Sequence, residues 1–445
     1  MIVMMLTHGI TSETITISDN SETAVMSNNT HYTYENGYLT VAENNTTKWV
    51  YTYDESGNIT EKKEYAVVDI SGTKEYTLKQ GGTDSYVYRA DWKEELSSFN
   101  GQSFAYDDSG NPTTYRDHTL TWTFGRQLSS FGGITYTYDE NGIRRSKTSN
   151  GKTTKYYTDS NNNVVYQSDG TTSITFYYDR TDNVTGFKYN GNNYFYVKNL
   201  QNDIVAITDS NGNVVVRYSY DPWGKIIGVD GNASIGNLNP FRYRSYYYDT
   251  DTDLYYLQSR YYDPEVCRFI NCDNINYIGT NFDAVSYNPF AYCKNDPINY
   301  IDPTGTVAIT AVATTLGVST STLITAAVLV MVLVDIATGG KVVLSLSEAI
   351  VMVVESVYDN IQFNKQSKKT KVPSKLKDGD KVKTPDSHPG EFQKNKDGSY
   401  THKKTKWTFK KDRSNHYDGP HWDASPKNGK EEDYHNIGLE GKILT

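Results

Sequence analysis

Cysteine is scarce in this chain of 445 residues, and its pattern is uninformative: Cys267, Cys272 and Cys293 are odd in number and form no C-x-x-C pair. That gives no support to a disulfide framework or a structural zinc site, and the three are read as small buried hydrophobes. The opening Met1 to Leu6 carries no basic flank and turns polar too soon for a secretory signal. No G-x-S-x-G elbow, glycine-rich phosphate loop or H-E-x-x-H motif occurs, so serine-triad, phosphate-loop and zinc-protease chemistry have no local support.

Tyrosine, by contrast, is abundant: 39 residues against 14 Phe and 6 Trp. With frequent Asn, Gly, Thr and Asp, this favours short strands joined by tight turns, and the length favours more than one domain. The net charge of −9 hides a division. Residues 365–445 hold 18 Lys and 1 Arg against 12 acidic residues, a net of +7, whereas the preceding chain holds 25 basic and 41 acidic residues, a net of −16. An acidic body with a basic tail suits a container with a passenger for a polyanionic target, and equally a lysine-rich solvated surface.

Self-similarity is plain along the first half. Tyr51-Thr52-Tyr53-Asp54-Glu55-Ser56-Gly57-Asn58 is echoed at Phe104 to Asn111 and at Tyr136 to Gly142, with weaker copies ending in Asp159, Asp179 and Asp221. Alternate aromatics share one face of a strand, and the Asp-led turn closes a hairpin. One hairpin cannot bury its aromatic face, so many must pair laterally into a sheet that coils. These units resemble the YD repeats of RHS proteins. Phe241 to Arg244, Tyr255 to Pro264, Arg268 to Ile270 and Asn299 to Gly305 then resemble the RHS-associated core in its usual order. The resemblance implies a mainly β protein: a coiled β-sheet shell of YD-repeat hairpins around the C-terminal polypeptide, completed by N-terminal shell or secretion components missing here.

The expected organisation is a YD-repeat region (1–240), the RHS-associated core (241–306), an apolar helical connector with a basic linker (307–370), and a C-terminal toxin domain (371–445), small and α+β or mostly β. The resemblance further implies self-cleavage just beyond Gly305, with Asp273 and Asp302 as the aspartate pair and Arg260 as supporting arginine. Two close carboxylates cannot both ionise easily, so one keeps a proton to act as acid while the other acts as base. The alternative is that both aspartates cap turns. This sequence departs from the family pattern at Asn274, where proline is usual, and at Thr306, where a bulky aliphatic is common.

Residues 307–334 carry no charge and are long enough to span a bilayer, so they are read as a buried helix or one that makes transient membrane contact. Behind them lie five of the eight histidines: His388, His402, His416, His421 and His435. Metal-independent RNA cleavage needs a base, an acid and a cation on the phosphate. His416, His421 and His435 are the candidates for proton transfer, Asp423 for orienting or base, and Lys411 or Arg413 for phosphate; each taken singly also fits a turn, strand or solvated face. No cofactor is implied. A metal-dependent nuclease using His416, His421, Asp423 and His435 is the rival within the class, and a non-enzymatic cell-surface adhesion or carbohydrate-binding protein the rival outside it. The position behind an RHS core implies a secreted or surface-borne bacterial toxin that acts in the target-cell cytoplasm, prefers RNA to DNA and meets a cognate immunity protein.

Overall fold

The computed structural model describes residues 2–6, 9–18, 24–275, 278, 284–310, 383–403, 406–412, 421–425, 435–438 and 443–444. It divides into two compact units, Met1–Val354 and Glu355–Thr445.

In the first unit, twenty-two described strands follow one another in a single antiparallel order, each pairing with the next along the chain. The repeat builds this sheet through its turn. Asp54 Oδ1 accepts from the N–H groups of Ser56 and Asn58 at 2.9 and 2.8 Å, closing a loop in which Gly57 takes φ +75°. Asp107, Asp139, Asp159, Asp179, Asp209 and Asp221 repeat both contacts with the residues two and four positions on. Just before these turns the pairing register slips, as at Thr52/Tyr53, Thr137/Tyr138, Tyr177/Tyr178 and Ser219/Tyr220. A bulge at a fixed place in each repeat sharpens the right-handed twist in the same sense, and that is why the sheet coils.

The preference for Tyr over Phe also has a structural cause. In each YD pair the first aromatic is buried, as Tyr51 and Tyr136 are, and the second packs beside it. In four of the repeats the second aromatic's hydroxyl donates to a main-chain carbonyl of the preceding strand: Tyr53 to Leu39 at 2.6 Å, Tyr138 to Leu128 at 2.9 Å, Tyr178 to Val164 at 3.0 Å and Tyr220 to Ile204 at 2.8 Å. Phenylalanine would leave those half-buried carbonyls unbonded.

The core region packs its aromatics onto the buried face of the sheet. Ring pairs join Phe176 to Phe241, Tyr156 to Tyr247 and Tyr136 to Tyr261 at centroid distances of 4.9, 5.5 and 5.7 Å. Buried ion pairs fix the docking: Arg144 grips Asp249, which also takes Lys147 at 3.0 Å, and Arg244 holds Asp203 at 2.9 Å. Cys267, Cys272 and Cys293 are all buried and unoxidised, and burial pushes the Cys267 and Cys293 thiols up. The sheet is open at both ends, with Ile2–Leu6 and Ile226–Gly231 each paired on one side among the described residues.

In the second unit, six antiparallel strands (Phe392–Lys394, Tyr400–His402, Thr408–Asp412, His421–Ser425, His435–Gly438 and Ile443–Leu444) pair in chain order. They bury Phe392, Trp407, Phe409, Trp422, Ala424 and Ile437. Among the described residues of this unit the regular elements are these strands and one short 3-10 turn, Pro389–Glu391. The helical connector is corrected at its start: Ile309–Thr310 is a strand that pairs with Tyr300–Ile301, because β-branched residues beyond the Gly305 turn extend the hairpin. Residues 311–370 of the connector, and 371–382 beyond it, lie outside the described residues, and so does the membrane-contact reading of 307–334 from residue 311 on.

Candidate self-cleavage site

Arg260, Asp273 and Asp302, distant in sequence, meet in the first unit. Arg260 ends the tight turn at residues 257–260, in which the Leu257 N–H donates to the Arg260 carbonyl at 2.9 Å and Gln258 adopts φ +61°. This turn joins strands Leu254–Tyr256 and Tyr261–Asp263 and buries the guanidinium against the Phe269 ring, 3.5 Å from its centroid. Arg260 Nη2 lies 2.8 Å from Asp273 Oδ2 and 3.5 Å from Asp302 Oδ2, while Nη1 donates to the Pro289 carbonyl at 3.1 Å. The fourth contact runs from Nε to the carbonyl of Gly305.

Asp302 faces the other side of the same peptide. Its Oδ1 accepts the N–H groups of Thr306 and Val307 at 2.9 and 3.2 Å, and its own N–H donates to the Tyr246 hydroxyl at 2.8 Å. The Gly305–Thr306 peptide is thus held by a cation at its oxygen and a carboxyl at its nitrogen. Burial pushes Asp302 above the usual carboxylate range, against the pull of Arg260 and of backbone N–H groups. Burial also raises Asp273 to about 6, opposed by Arg260 and reinforced by the Asp302 charge. The departure at Asn274 has a use: its N–H, which a proline would lack, donates to Asp273 Oδ1 at 2.7 Å and favours the ionised form. A cavity of about 460 Å³ lined in part by Ile301, Pro303 and Thr304 brings space for water to the flank of this loop.

One residue escaped the sequence reading. Ser259 Oγ lies 2.8 Å from the Gly305 carbonyl and 2.6 Å from that of Thr304. The serine stands inside the motif from Tyr255 to Pro264, but nothing about a turn serine marks a role.

The nuclease candidates of the second unit are arranged less simply. Asp423 is half-buried and stands opposite Lys410 and Asn436 in the sheet. Lys411 is engaged with Asp386 at 2.8 Å and lies 5.1 Å from the centroid of Trp422, whose indole N–H also donates to Asp386 at 3.2 Å. His421 pairs with Asp412 and Gly438, whereas His435 pairs with Ala424. With the two-residue period of a strand, positions 421 and 423 fall on one face, and position 435 falls with Ala424 on the other. His416 and Arg413 lie outside the described residues. His402 Nε2, 3.3 Å from Glu391 Oε2, and His388 Nδ1, 2.9 Å from Ser387 Oγ, lie near Lys383, a grouping that histidine counting alone did not single out.

The Teneurin YD-shell family model matches residues 4–298. Among curated proteins, the tRNA3(Ser)-specific nuclease WapA of Bacillus spizizenii is 29% identical over 57% of this chain and 11% of its own length. Double-stranded DNA deaminase toxin A of Burkholderia cenocepacia is 36% identical over 22% of this chain and 6% of its own. The chain therefore spans about a tenth or less of the length of these relatives. Among solved structures, the crystal structure of TcdB2-TccC3-Cdc42 is 16% identical, covering 66% of this chain and 18% of the other at a TM-score of 0.44. On the family match, which spans most of the sheet and nearly all of the core, the chain belongs to the Teneurin YD-shell family and is an RHS/YD-repeat protein.

Proposed function

We propose that this chain is part of an RHS-type polymorphic toxin that cuts itself between Gly305 and Thr306 and carries a ribonuclease behind the cut, for use between competing bacteria. The observation that carries the first half is that Arg260 and Asp302 hold one peptide bond at its two ends while Asp273 sits on the same guanidinium. Asp273, nearer the guanidinium and bonded by Asn274, is the ionised base that takes a proton from water. The water oxygen attacks the Gly305 carbonyl carbon, the tetrahedral intermediate frees the lone pair of the Thr306 nitrogen, and Asp302, the neutral acid beside it, gives its proton to that nitrogen as the C–N bond breaks. The products are a Gly305 carboxylate and a fragment from Thr306 to Thr445. Mass spectrometry of the purified wild-type chain tests this, and an intact chain overturns it. The two carboxyls titrate as a pair. The rate is expected to fall as pH drops through about 6, where Asp273 gains its proton, and a rate still rising below pH 5 would contradict the assignment of base.

The ribonuclease half is supported by the net charge of +7 over 365–445, by the clustered histidines and by a relative named as a tRNA nuclease. A second relative is named for DNA deamination, so the activity has to be tested on the tip itself. His421 and Asp423, on one face, are proposed for proton transfer with His416, and Arg413 for the phosphate; His435, on the other face, is the weaker candidate. Expression of residues 371–445 in a bacterium is expected to stop growth and fragment RNA, relieved by His421→Ala or by a cognate immunity protein. Cleavage in EDTA supports metal independence, whereas loss of activity in EDTA moves these residues to a metal site. Normal growth favours the adhesion reading.

A further inference from the structure

We propose that Ser259 is a catalytic residue of the self-cleaving core, its hydroxyl and the Arg260 Nε–H together forming the oxyanion hole for the Gly305 carbonyl. The inference rests on the reading of Gly305–Thr306 as the scissile bond. As water adds, the carbonyl oxygen becomes an alkoxide, and donors already aimed at it stabilise that charge without reorganising. Two donors are in place: the guanidinium Nε–H and the Ser259 hydroxyl, whose oxygen is 2.8 Å away. A neutral hydroxyl is a suitable second donor, because Arg260 is already shared among Asp273, Asp302 and the Pro289 carbonyl.

The bland alternative is that Ser259 only caps the Thr304 carbonyl at 2.6 Å. That carbonyl also receives the Ser259 main-chain N–H at 3.2 Å, so it keeps a hydrogen bond when the hydroxyl hydrogen turns to Gly305. The fit of Gly305 to the turn points the same way. At φ +72°, a Cβ on Gly305 would stand 2.8 Å from both the Leu257 carbonyl and Ser259 Oγ, and 3.1 Å from the Arg260 nitrogen. Only a residue without a side chain can lie this close to residues 257–260, and the closeness delivers its carbonyl to both donors. Once the C–N bond has broken, the same two donors face the new Gly305 carboxylate, so the cut end stays bound to the turn that helped to cut it.

The test follows cleavage of the full chain during cell-free translation with labelled methionine, sampled over time on gels, for wild type, Ser259→Ala and Ser259→Thr. Ser259→Ala is expected to slow the appearance of the fragment beginning at Thr306 by about 10²–10³-fold, the effect of deleting one such donor. Ser259→Thr, which restores a hydroxyl, should recover most of the rate. The acid limb near pH 6 should not move in either variant, because Asp273 sets it. Wild-type kinetics in Ser259→Ala overturn the role of Ser259 alone, as does a slowed Ser259→Ala whose acid limb shifts or whose protease resistance is lost, since that marks a structural part. A wild-type chain that never cuts overturns the self-cleavage reading and this inference with it.

Discussion

Asp302→Asn leaves the chain uncut: the fragment beginning at Thr306 is expected to vanish from gels and mass spectra, a loss of at least about 10²–10⁴-fold for removing a positioned proton donor. The replacement is nearly isosteric. An amide oxygen at Oδ1 can still accept the Thr306 and Val307 N–H groups at 2.9 and 3.2 Å, so the loop keeps its shape while the nitrogen loses its acid. Cleavage at the wild-type rate in Asp302→Asn would show that the carboxyl only caps the turn.

Arg144→Met is expected to lower the stability of the first unit by about 3–5 kcal/mol, measured as a shift in the urea midpoint of the uncut Asp302→Asn chain. Both partners are almost wholly buried, with side-chain exposures of 2% for Arg144 and 0% for Asp249. Arg144 also lies 4.4 Å from the centroid of Tyr256 and 4.7 Å from that of Tyr156, so its loss removes ring contacts as well as charge. Lys147 stays on Asp249 at 3.0 Å but leaves that carboxylate less than fully compensated. A paired change of Arg144→Met with Asp249→Leu should recover part of the loss, because a desolvated ion pair is replaceable by apolar packing. An unchanged midpoint in the single variant would mean that water reaches Asp249.

Much of the fold is legible because the repeat states it twice, once in the alternation of aromatics and once in the Asp-led turn. What stays hidden is how one repeat leans on another: the bulge before each turn and the tyrosine-to-carbonyl bonds depend on a neighbouring strand, not on local pattern. The same holds at the site. Arg260, Asp273 and Asp302 stand in recognisable motifs, so their order announces them, but what Arg260 and Asp302 hold is a backbone peptide, which no side-chain reading can show. Ser259 is invisible for that reason. In the second unit the histidines are countable from sequence, whereas the separation of positions 421 and 435 onto opposite faces follows from strand register alone. The connector's apolar run masked a short strand, because Ile and Thr suit either state and the partner at Tyr300–Ile301 decides.

The hydroxyl that ends each YD pair reaches backwards: Tyr53 finishes the strand of Leu39, Tyr178 that of Val164, and Tyr220 that of Ile204. None of these strands is therefore complete when it is synthesised; a carbonyl at its start waits for the tyrosine that ends the next strand. A chain of this kind matures in the order in which it leaves the ribosome, and it grows in evolution by copying whole units, since an inserted copy brings both the acceptor it offers and the donor it owes. A partial copy breaks that exchange and leaves one carbonyl bare. Length is thus free to vary in whole repeats while the junction with the core, where Ile204 N–H is taken up by the Arg242 carbonyl at 3.1 Å, stays fixed.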